Sequence, residues 1–168
     1  AGFLKNFSVL FEGLKERGHR VREVLTSDQA SFIVVTAPDP LTVDEAIFFY
    51  RKLGSESVSV GGFVVNRVNA FDFDPGELDR PAVSYAADLR TRSDELAALD
   101  DQALRNLARR LLENGRDFAV LAAVDADSIH RLKLHIPEEV PIRTIPYFST
   151  DVHSLEGLDR ARRELFGG

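Results

Sequence analysis

Residues 31–68 read SFIVVTAPDPLTVDEAIFFYRKLGSESVSVGGFVVNRV, and this stretch decides the fold class. It holds two apolar runs rich in β-branched residues, Phe32–Val35 and Val60–Val65. Short unbroken runs of that kind suit strands buried on both faces, the usual condition in a parallel sheet. Pro38 and Pro40 end the first run, and Thr42 with Glu45 makes the Thr-x-x-Glu pattern of a helix start. A helix is then expected to about Leu53, with Gly54 as its stop. Strand, helix and strand within about 35 residues form a βαβ unit, with a right-handed crossover expected.

Outward from this unit the pattern is mostly helical. Towards the N-terminus, Phe3, Leu4, Phe7, Leu10, Phe11, Leu14, Val21, Val24 and Leu25 recur at helical spacing, with Gly18 a point where two helices could divide. The Phe3/Phe7/Phe11 stripe is either core packing or a partner-binding face. Residues 69–92, with Asp72, Asp74, Pro75, Gly76 and Pro81, read as a long loop. Residues 94–134 keep a helical period, as one long helix or two meeting near Gly115. Ile142–Ile145 reads as a third strand closed by Pro146, and 151–166 as a helix with Val152, Leu155, Leu158 and Leu165 facing inward.

Composition narrows the function classes. The chain has 168 residues, 44% of them hydrophobic, which suits one domain with a real core. Its net charge of −6 argues against wholesale nucleic-acid binding. With no cysteine, neither disulfides nor a thiolate metal site can form. No apolar run is long enough for a membrane span, and no signal-peptide pattern opens the chain, so a cytoplasmic location is expected. The chain lacks methionine and opens within an amphipathic segment, which leads to the expectation that it is an excised part of a longer protein.

Several chemistries lack their residues. A phosphate-binding loop needs Gly-x-x-x-x-Gly-Lys-Ser/Thr between strand and helix, and the sequence has no Gly-Lys pair. Gly61-Gly62 falls at the start of a strand and does not follow one, so it aims no helix N-terminus at an anion. The histidines at 19, 130, 135 and 153 are scattered, so no metal centre is expected, although Asp72 and Asp74 could meet a cation. No Gly-x-Ser-x-Gly nucleophile elbow occurs.

What remains lies at strand ends, where open parallel sheets bind ligands. Pro38-Asp39-Pro40, Asn66-Arg67 and Pro146-Tyr147-Phe148 fall there. A side-chain amide can read a base edge with donor and acceptor together. A Pro-Tyr-Phe loop can flank a planar ring. The same Asn-Arg pair also suits a plain strand-end cap with a surface cation.

At these residues the chain resembles a known family. Phe32 to Ala46, then Gly62 to Val68, resembles the ArsA-type anion-transporting ATPases, which include arsenite-pump ATPases and the targeting factor for tail-anchored membrane proteins. Val140 to Phe148, continuing through Gly157-Leu158, is similar to that family's last strand, loop and helix. The likeness runs from about residue 20 to the end. It implies an α/β fold, part of a P-loop NTPase-like parallel sheet flanked by helices, in a protein that dimerises around ATP and Mg²⁺ with itself or a related subunit.

The resemblance also implies roles. Asn66 would read adenine, with Arg67 beside it, and Pro146, Tyr147 and Phe148 would line the base. Asp39 stands where an acidic residue, more often glutamate, approaches nucleotide across the dimer. Residues 1–30 would be the tail of a helical insert that binds protein clients in targeting members, and 31–168 the C-terminal α/β portion of an ATPase domain. The family's phosphate loop and switch regions lie N-terminal to everything here. The chain is therefore expected to supply the adenine-binding half of a site, to bind no nucleotide tightly and to hydrolyse none alone. A second reading is a non-catalytic interaction module of degenerate P-loop ancestry.

Overall fold

The computed structural model describes the backbone of residues 2–70 and 74–167 and, Pro75 apart, the side chains from Glu12 onward. The Phe3/Phe7/Phe11 stripe and Asp72 lie outside the described side chains. Three strands, β1 (Phe32–Thr36), β2 (Val60–Val68) and β3 (Ile142–Pro146), form one parallel sheet in the order β1-β2-β3. Helix α2 (Pro40–Ser55) joins β1 to β2, completing the βαβ unit. The chain is α/β, a small parallel sheet flanked by helices.

The start of α2 differs from the expected capping box. Asp39 is the N-cap, its Oδ1 accepting from Leu41 N at 2.9 Å and Thr42 N at 3.2 Å. Pro40 follows at the first helical position, where a missing N–H costs nothing. Thr42 is already inside the helix, and its hydroxyl donates to Ala37 O at 3.0 Å. The helix also outruns Gly54, and Ser57, at φ 59°, takes the left-handed turn beyond it.

Residues 69–92 are not a long loop. They hold α3 (Pro75–Leu78) and α4 (Ala82–Arg90), followed by α5 (Asp94–Ala97). The apparent breakers are helix starts: Asp74 caps Gly76 N at 2.9 Å, Pro75 opens α3 and Pro81 is the N-cap of α4. Tyr85, Ala86 and Leu89 of α4 bury against Leu104, Ala108 and Leu112 of α6 (Asp101–His135).

Helix α6 runs unbroken through Gly115 for 35 residues, about 52 Å. A Cβ at 115 would stand 2.7 Å from Leu78 Cδ2, so this glycine seats α3 against α6 and divides no helix. The C-terminal half of α6 serves a second core. Leu132 and Ile136 pack with Val43, Ala46 and Ile47 of α2 and with Val34, Phe63 and Val65 of the sheet.

That cluster fixes which sheet face is covered. Val34 pairs with Phe63 and Thr36 with Val65, so the buried strand residues alternate along one face. Ile33 and Val35 point the other way and are 57% and 64% exposed. The expectation of burial on both faces therefore fails, because α2 and α6 pack on the same side. Helix α7 (Leu155–Phe166) departs from expectation too: Val152, Leu155 and Leu158 are exposed, and Leu165 is half-buried. Its packing partner is the edge strand β3, too narrow a surface to bury a helix face.

Helix α1 (Gly2–Leu25) continues through Gly18 and meets the rest of the chain near its C-terminal end. Arg22 there pairs with Glu56 at 2.6 Å, and Lys52 pairs with the same carboxylate at 3.0 Å. Lys52, then Arg22, hold the Glu56 carboxyl below its ordinary pKa of 4.5. A lowered folded pKa gives stability that is present above 4.5 and lost as pH falls through the folded value. The urea midpoint of Glu56→Gln should therefore fall below that of the parent near neutrality and converge on it in acid. Because the pair is exposed, about 1 M salt should abolish the difference. Among the described residues no helix is long and apolar enough to cross a membrane.

Candidate functional site

The carboxyl ends of β2 and β3 build the candidate site. Asn66 pairs with Ile145 and Val68 with Pro146, which leaves Arg67 as an extra residue bulged from the ladder. Arg67 takes φ 64°, left-handed for a residue with a side chain. Such a conformation costs on the order of 1 kcal/mol and persists only where its surroundings impose it. Three hydrogen bonds fix the segment just beyond it. Tyr147 N donates to Val68 O at 2.8 Å, tying the β3 exit to the β2 end. Asn69, just beyond, donates to Asp125 Oδ2 from its backbone N at 2.6 Å and from Nδ2 at 2.9 Å.

Five of the six residues singled out from the sequence meet here. Asn66, Arg67, Pro146, Tyr147 and Phe148 line one open cleft of about 270 Å³ together with the loop from Ser149 to Val152. The Arg67 guanidinium lies 5.4 Å from the Tyr147 ring centroid, and that of Arg160 on α7 lies 4.3 Å from the Phe148 centroid. Both aromatic rings therefore carry a planar cation.

Asn66 and Arg67 also border a second cleft, about 450 Å³, with Thr36, Ala37, Thr42, Glu45 and Phe49. Its floor is the β1–α2 connection, held by Thr42 Oγ1 to Ala37 O and by Thr36 Oγ1 to Thr42 O at 3.2 Å. Asp39, the sixth residue, is not among the residues lining either cleft. Its Oδ1 holds the first turn of α2, so a structural task already occupies that oxygen.

Sequence reasoning missed Asp125 and Arg160. Asp125 is 7% exposed and lies in phase with buried Ser128 and Leu132 of α6. A carboxylate on the apolar phase of a helix was the available signal for a buried hydrogen-bonded role. Nothing in the sequence pattern brings Arg160 to Phe148. Among the described residues no three His, Asp or Glu side chains converge as metal ligands would.

Chemically, the first cleft offers an amide edge, two aromatic rings and the guanidinium plane of Arg67. These groups recognise a flat heteroaromatic ring with hydrogen-bonding edges. No family model matches the chain, and no curated protein matches it either.

Proposed function

We propose that this chain is the C-terminal part of an ArsA-like ATP-binding ATPase, with a P-loop NTPase-like fold, and that it supplies the adenine-binding half of the site. The observation that carries this reading is the gathering of Asn66, Arg67, Pro146, Tyr147 and Phe148 around one cleft at the carboxyl ends of adjacent parallel strands. Asn66 reads the base edge, and the Pro146–Phe148 loop lines the ring. ATP and Mg²⁺ belong to the complete protein, in which a second copy or related subunit closes the site and the N-terminal helix contributes to client binding. The exposed Ile33 and Val35 agree with a sheet that continues into a second layer in that protein. Hydrolysis lies outside this chain, whose sequence holds no Gly-Lys phosphate loop.

Titration with millimolar adenosine, followed by backbone amide NMR, tests the reading. Shifts should concentrate at Asn66, Arg67, Tyr147 and Phe148. ATP should bind no tighter than adenosine, since phosphates gain most of their affinity from a cradle. Asn66→Ala should weaken adenosine and guanosine by different factors. Absence of shifts at the strand ends would remove the base-binding role, and tight Mg²⁺-dependent ATP binding would overturn the half-site assignment.

The same exposed Ile33 and Val35 favour a second reading, a non-catalytic interaction module. Light scattering that shows partner binding, with no adenosine shifts at the strand ends, would favour this second reading over the first.

A further inference from the structure

We propose that Arg67 determines ligand specificity at the strand-end cleft: its guanidinium, held against Tyr147 by the left-handed strand end, is the stacking surface for a purine ring whose edge Asn66 reads. The inference rests on the base-binding reading above and adds to it the residue that supplies the ring's flat contact.

A plain surface cation does not explain this position. An arginine serving only solubility has no need of the left-handed backbone that Arg67 adopts at φ 64°. Glycine would take the same conformation without a steric penalty, and asparagine at a smaller one. The bulge sets Arg67 out of the ladder between Asn66 and Val68. That displacement leaves its side chain bordering both clefts, with Asn66 beside it in each.

The chemistry then narrows the ligand. A guanidinium plane lies 5.4 Å from the Tyr147 centroid, and the ring side of that contact is anchored through Tyr147 N to Val68 O at 2.8 Å. The cation is thus oriented before any ligand arrives, which reduces the ordering cost of binding. Arginine planes stack on aromatic faces, and a larger electron-rich ring gains more from the contact. A purine therefore gains more than a pyrimidine. Lysine would keep the charge and lose the plane.

Three variants of the full chain test this, each measured for melting temperature and for adenosine and cytidine affinity by amide NMR titration. Arg67→Gly should melt about 2 °C higher than the parent, because the backbone strain is relieved. It should bind adenosine about tenfold more weakly. Arg67→Lys should lose most of the preference for adenosine over cytidine, and Arg67→Asn provides a second relief of strain should the glycine variant fold poorly. Binding by Arg67→Gly or Arg67→Asn equal to that of the parent overturns the proposal and leaves the base-binding reading standing. A lower melting temperature in both variants also overturns it, since Arg67 would then be a structural brace. If the parent itself shows no adenosine shifts, the base-binding reading falls and takes this inference with it.

Discussion

Phe63→Ala is expected to destabilise the chain by about 3–5 kcal/mol. Phe63 is 1% exposed and sits on β2, the strand paired on both edges. Its ring meets Tyr50 of α2 edge-on, with centroids 5.7 Å apart, and lies in the cluster that holds Leu132 of α6 and Ile136 at its C-terminal end. One side chain therefore joins the sheet, α2 and α6 within the main core. Truncation removes its burial energy and leaves a cavity that two helices and a strand cannot close together. Set against a total stability of about 5–15 kcal/mol for a domain, the loss approaches global unfolding. Urea denaturation followed by circular dichroism measures it, and a loss below about 1 kcal/mol would show that this core repacks freely.

Asp125→Ala is expected to cost about 1–3 kcal/mol, through a different mechanism. The carboxylate accepts both the backbone N–H and the side-chain amide of Asn69, a residue 56 positions away in sequence. Its removal strands two part-buried donors, and an unmet buried donor costs more than a met one returns. The effect should reach the site as well. Asn69 follows the Asn66–Val68 turn directly, so losing its anchor frees the segment that holds Arg67 in its strained conformation. Hydrogen exchange at Val68, Asn69 and Tyr147 should speed up by more than the global stability loss requires. Asp125→Asn, which keeps one acceptor oxygen, should fall between parent and alanine. Uniform acceleration across the whole sheet would show that Asp125 supports the fold generally and the strand ends not at all.

The unequal legibility of fold and site has physical causes. The strands of residues 31–68 were legible because β-branched apolar runs bounded by proline permit few other structures. Helices α3 and α4 were hidden because Asp74-Pro75 and Pro81 also spell turns, and only burial of Tyr85 and Leu89 against α6 decides for helix. Gly115 looked like a break because local propensity cannot see Leu78, which arrives from 37 positions away. That Asn66, Arg67 and Pro146 to Phe148 lie together was legible because strand ends in a parallel sheet are adjacent whatever the intervening chain does. The resemblance gave Asp39 a place near nucleotide across a dimer, and local pattern did not show that its carboxylate caps α2.

The sequence by itself determined the βαβ unit, the third strand, and the absence of a Gly-Lys phosphate loop, since each depends on neighbours within a few residues. Only the tertiary structure decided the rest. It set α2 and α6 on one face of the sheet and left Ile33 and Val35 open on the other. It forced Arg67 into a left-handed bulge by pairing Val68 with Pro146. It also brought Asp125 to Asn69. Such features arise where distant segments compete for the same space and the same hydrogen-bonding groups, and no local pattern encodes the outcome of that competition.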